Sequence, residues 1–155
     1  MGVAAPALKS DYGAVAHASA APHCCEDRLI DTGTILLFCA AHSFGFALFH
    51  LGFWRLFGWP RTLEGTTRPN RAILQIANLQ LVWVFTGVGL LCLLHPAALA
   101  GTPLGRAVLA GMSAFWIIRI AAQLLWLRVN HPLVHALTAL FACGALLFAW
   151  PLLAG

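Results

Sequence analysis

The sequence predicts an all-α protein: an integral membrane four-helix bundle of up-down topology, preceded by a polar N-terminal tail. Three observations predict it. The chain is 61% hydrophobic and only 9% charged, whereas soluble domains carry about 25% charged residues. Four apolar stretches, at about 33–57, 72–95, 104–127 and 132–153, each hold the roughly 20 residues that cross a hydrocarbon core about 30 Å thick. The segments between them, "GWPRTLEGTTRPNR", "HPAALAGTP" and "RVNHP", are each broken by Gly or Pro.

Residues 1–32 are polar, Ala-rich and without periodicity. They lack the basic start and uninterrupted apolar run of a secretory signal, and read as a flexible tail ahead of a four-helix domain at 33–155. Within the tail, His23, Cys24 and Cys25 are soft-metal ligands by type, but no second ligand pair at zinc spacing follows. Cys39, Cys92 and Cys143 fall inside apolar stretches, where cysteine behaves as a small hydrophobe.

Inside lipid every backbone N–H and C=O needs a partner, so the apolar stretches are expected as helices. Short connections make sequential helices antiparallel. The net charge of +4 comes from arginines spread over loops and helix ends. No basic stripe or nucleic-acid motif is present, and nucleic acid is not an expected partner. The first and third loops carry Arg55, Arg61, Arg68, Arg71 and Arg128; the opposite side carries Lys9, Arg28 and Arg106. That imbalance places both termini outside the cytoplasm. Arginine's excess over lysine in an Ala- and Leu-rich chain points to a GC-rich bacterial genome, hence a bacterial inner membrane.

The polar residues within the apolar stretches share a depth. His50, Gln75, Asn78, Arg119, Gln123 and His135 all lie roughly 6–14 Å from the proposed cytoplasmic interface, counting 1.5 Å per residue. Their spacings keep them on stripes: Gln75, Asn78, Thr86 and Gly89; Trp116, Arg119, Gln123 and Trp126; His131, His135 and Thr138. On the first helix His42, Gly45, Phe49 and Gly52 align, with His50 beside Phe49. Polar faces avoid lipid, so these stripes are expected to turn toward one another or a partner. Gln80 lies about 200° around from Asn78 and falls outside the pattern.

Most of these residues have an ordinary structural reading. Asn and Gln hydrogen-bond across membrane helices without needing a ligand, which accounts for Gln75, Gln123 and Asn78. His131 precedes Pro132 at a helix start, and His42 and His50 suit a satisfied core. Arg119 is harder to explain. A charge at a helix centre costs about 2.5 kcal/mol or more. Its side chain tilts toward the N-terminus of its helix, away from the nearer interface. The only acid after Asp31 is Glu64, in the first loop. Carbonyls, Asn78, Gln75, Gln123, a neutral His or a Trp face are what the chain offers; an anionic ligand, a lipid phosphate or an acid on another protein are the alternatives.

Three functional readings follow. The leading one is an intramembrane site in the cytoplasmic half, with Arg119 meeting the head of an anionic lipid, quinone or other small amphipathic molecule. His50, Gln75, Asn78, Gln123 and His135 would supply hydrogen bonds, and Phe49, Trp83 and Trp116 apolar walls. Such a site suits a carrier, a lipid-modifying enzyme or a quinone-reactive subunit. The second is a b-type cytochrome with haem b between His50 and His135, since bis-histidine haem needs imidazoles at matched depth; the layout resembles small membrane cytochromes in outline. A metal on His50, His131 and His135 is a variant of this reading. The third is an accessory subunit, with Arg119 paired to an acid on a membrane partner and Gln80 packing against a partner or a second copy. "HPLVH" lacks the Glu of a metalloprotease, and no nucleophile–base pair can be built from Ser43, Ser113 or the cysteines.

Overall fold

The computed structural model describes residues 23–59, 61–127 and 129–154, with side chains from residue 32 onward. Four helices are long and apolar enough to cross a membrane: α1 (His23–Leu51, apolar from Thr32), α3 (Arg68–Leu94), α5 (Pro103–Trp126) and α6 (Pro132–Ala154). Two short helices, α2 (Phe53–Leu56) and α4 (Pro96–Gly101), and a 3-10 turn at Arg61–Leu63 complete the order. No strand occurs among the described residues.

Three boundaries differ from expectation. α1 starts at His23 and takes in the last ten residues of the segment read as tail. Pro22 precedes it and Glu26 and Asp27 fall in its first turns, where acids suit the helix dipole. The side chains of His23, Cys24 and Cys25 lie outside the described residues, as do Lys9 and Arg128. The first apolar helix ends at Leu51 rather than near 57. The N–H of Gly52 is shared between the carbonyls of Leu48 (3.0 Å) and Phe49 (3.1 Å), and the one-turn α2 starts anew from the Gly52 carbonyl. The second loop is itself partly helical: Pro96 fits the first turn of α4, Ala-rich sequence favours it, and Gly101-Thr102-Pro103 stops it.

Side-chain ties show α5 and α6 running antiparallel. Arg106 Nη2 donates to the Leu152 carbonyl at 3.0 Å, Ser113 Oγ to the Ala145 carbonyl at 2.9 Å, and Gln123 Nε2 to the Val134 carbonyl at 3.1 Å. α1 and α3 form the other antiparallel pair, with His50 beside Asn78 at one end and Phe44 against Gly89 farther along. α1 also packs on α6, so the backbones follow the order α3, α1, α6, α5. α3 and α5 do not pack closely. Aromatic side chains cross the space between them: Phe85 stacks on Trp116 with centroids 5.4 Å apart and meets Phe115 edge-on at 5.7 Å.

Outward faces are apolar, as lipid contact requires. Leu48, Ile73, Leu104, Ile118, Leu146 and Leu153 are exposed. At the end where α1 stops, Trp54 and Trp59 meet edge-to-face, 6.0 Å apart. Gly58, at φ 63°, takes the left-handed conformation that closes α2. Arg71 reaches back to the carbonyls of Leu63 (3.2 Å) and Glu64 (3.3 Å), tying the first loop to the start of α3.

Candidate functional site

A cavity of about 220 Å³ lies between all four long helices, lined by seven phenylalanines, Trp116, three leucines, His50 and Arg119. Each helix contributes its part through local spacing. Phe46, Phe49 and His50 occupy the last turns of α1, one helical face apart by three and four residues. Phe85 of α3, Trp116 of α5 and Phe141 of α6 stack as a column: Trp116 lies 5.4 Å from Phe85 and 5.5 Å from Phe141, nearly parallel to both. Phe46 tilts against all three.

Arg119 sits about 60° around α5 from Trp116. Its guanidinium carbon lies 5.0 Å from the centroid of the Phe141 ring, a cation–π distance. It makes no hydrogen bond or ion pair with any described residue. In the α5/α6 register Phe141 lies nearer the α5 N-terminus than Arg119 by about 3 Å. The side chain therefore follows the backward tilt of helical residues instead of extending to the nearer interface.

His50 is held firmly. Its Nδ1 lies 2.8 Å from Asn78 Oδ1, and Asn78 Nδ2 donates to the His50 carbonyl at 2.9 Å. That carbonyl is one of the last of α1, which the helix itself leaves without a donor. The imidazole stacks on Phe53 at 4.6 Å and leans on Phe85 at 5.6 Å. Asn78 is itself buried.

The structure thus brings Arg119, His50, Asn78 and Trp116 to one place, and leaves the other candidates elsewhere. Gln123 is buried against α6, donating to Val134 and to the Thr138 hydroxyl. Gln75 is half-buried and makes no side-chain hydrogen bond among the described residues. His135 is exposed, with Nε2 2.8 Å from Asn130 Oδ1. His131 is exposed and its Nδ1 accepts from the Leu133 N–H, capping the start of α6. Trp83, expected as a wall, is 80% exposed on the outer face of α3. His135 and Trp83 fail for one reason: a helical stripe fixes relative angle but not which way it turns, and the buried stripe of α6 runs through Phe141, Gly144, Phe148 and Pro151.

No match to this chain is found among models of known protein families, curated proteins or solved structures.

This arrangement offers haem one imidazole in the cavity, His50, and not a facing pair, since His135 lies outside it. His42 and His95 do not form a pair either: His42 Nε2 is 3.1 Å from the Leu140 carbonyl, while His95 sits exposed between α3 and α4. His50, His131 and His135 do not gather, and among the described residues no three His, Cys, Asp or Glu side chains form a metal-binding group. To a small molecule the cavity offers a planar cation, one imidazole and stacked rings, with no carboxylate among its lining residues.

Sequence reading named Phe49 but missed the phenylalanines at the centre. Phe46, Phe85 and Phe141 are all buried at the centre, but nothing in an apolar membrane helix marks a core Phe apart from a lipid-facing one such as Phe38.

Proposed function

We propose that this chain spans a bacterial inner membrane four times in up-down order, with both termini outside the cytoplasm. It binds a small amphipathic molecule, such as an anionic lipid or a quinone-type compound, within the cytoplasmic half of the bilayer. Arg119 meets the anionic or oxygen-bearing head, His50 adds a hydrogen bond, and the Phe85–Trp116–Phe141 column contacts the apolar body. The observation that carries this reading is the guanidinium of Arg119, which lines an aromatic cavity without a hydrogen-bonding partner among the described residues.

Arg119 is itself exposed beside the cavity, and a donor set this rich is costly to leave unfilled where that surface meets hydrocarbon. A hydrogen bond to a charged group contributes about 1.5–3 kcal/mol, so a ligand that satisfies Arg119 gains roughly 10- to 100-fold in affinity. The test is binding to nanodisc-embedded protein, with empty nanodiscs subtracted, of decanoate, dodecyl phosphate and 4-pentylphenol. At least one should bind saturably, and Arg119→Leu should weaken it tenfold or more while Arg119→Lys weakens it less. Equal binding of every probe to wild type and Arg119→Leu overturns the reading.

A further inference from the structure

The two hydrogen bonds between Asn78 and His50 fix the state of the imidazole as well as its position. Asn78 Nδ2 must face the His50 carbonyl, because the reversed amide would set two acceptor oxygens against each other. Oδ1 is then the atom turned toward the ring, and it can only accept. His50 Nδ1 therefore carries a hydrogen. In the neutral ring the lone pair is at Nε2, and Nε2 has no partner among the described residues.

The cavity is thus lined by two complementary groups: an acceptor at His50 Nε2 and the donor fork of Arg119. A carboxylate or a phosphate diester answers Arg119 and leaves Nε2 without a donor. A hydroxyl answers both, because its hydrogen goes to the imidazole and its lone pairs face the guanidinium. The walls select what carries the hydroxyl. The lining includes Phe49, Phe53 and Phe115, which are only partly buried, beside the stacked Phe85, Trp116 and Phe141, and aromatic pairs gain from offset or edge-on contact beyond simple burial. The size fits as well: in another protein a cavity of about 150 Å³ accepts benzene, and about 220 Å³ here leaves room for one substituted ring.

We propose that the preferred ligand is a hydroxyaromatic molecule of one ring, a phenol or hydroquinone, whose O–H donates to His50 Nε2 and whose oxygen accepts from Arg119. This rests on the binding reading above and narrows it. Asn78 is a positioning residue here, acting on the ligand only through His50.

The test compares 4-pentylphenol with its methyl ether, 4-pentylanisole, and with decanoate, on wild-type protein in nanodiscs. The ether keeps the ring, tail and oxygen but cannot donate. The phenol is expected to bind at least tenfold more tightly than the ether and more tightly than decanoate. In His50→Phe the phenol-to-ether ratio should fall to near one. Because the comparison on wild type needs no variant, a failure of His50→Phe to fold leaves the test intact. Equal binding of phenol and ether, with decanoate or dodecyl phosphate still bound in an Arg119-dependent way, overturns the hydroxyaromatic assignment and leaves the amphipathic site standing. Absence of saturable binding by every probe overturns both.

Discussion

The α-carbon of Gly144 on α6 is where His42 of α1 closes in: a β-carbon added there would lie 2.6 Å from His42 Cε1. It would also lie 2.9 Å from Trp116 Nε1 of α5, so three helices meet at this one glycine. Gly144→Ala should therefore push both rings apart and destabilise the fold by about 1–3 kcal/mol, the usual cost of overpacking. Thermal unfolding in detergent checks it, and an unchanged midpoint would mean the junction is looser than described.

Asn78 anchors His50 at both its ring and its carbonyl. Asn78→Leu leaves a half-buried imidazole N–H and a helix-end carbonyl unsatisfied, which costs about 1–3 kcal/mol. The imidazole also loses its fixed tautomer. In nitrogen NMR of histidine-labelled protein, His50 should show a single Nδ1–H form in the wild type and a mixture in the variant.

Gln123 holds helices together and does not line the cavity. Gln123→Leu should lower stability by about 0.6–1.7 kcal/mol, the range for hydrogen bonds between membrane helices. Ligand affinity should stay within twofold of wild type. A tenfold loss of affinity at unchanged stability would place Gln123 in the site after all.

Gln80 sits near the middle of α3, about 18 Å from its start, and its amide faces outward without a partner among the described residues. An amide in hydrocarbon is unfavourable. Gln80→Leu in a single copy of the chain should leave the unfolding midpoint unchanged or raise it. A loss of stability beyond about 1 kcal/mol would mean that the amide is engaged, by a neighbour the single chain does not supply.

The four spans were legible because hydrocarbon imposes length and composition together: only 9% of the residues are charged, and most of those lie outside the apolar stretches. Breaks inside apolar sequence were less legible. Gly52 ends α1 within a run that stays hydrophobic to Phe57, and hydropathy is blind to that interruption. The polar half of the site could be read, since His50, Asn78 and Arg119 are conspicuous in lipid. Its aromatic half was legible only in part: Phe49 and Trp116 were expected as walls, while Phe46, Phe85 and Phe141 were not. In water, burial sorts Phe from Lys; in a bilayer, Phe46 and Phe38 are equally at home and only packing separates them. Trp83 and His135 were misassigned by the same ambiguity, each on a face whose direction the spacing leaves open.

The weak packing between α3 and α5 has a consequence for assembly. The chain consists of two helical hairpins, α1 with α3 and α5 with α6, each closed by contacts between sequence neighbours. His50 and Asn78 belong wholly to the first, Arg119 and Phe141 wholly to the second. Neither hairpin owns the cavity. It comes into being only when the halves dock, α1 against α6 and Phe85 against Trp116. The binding proposed above would then be a property of the docked pair, and it should return when the two halves are made as separate chains in one membrane.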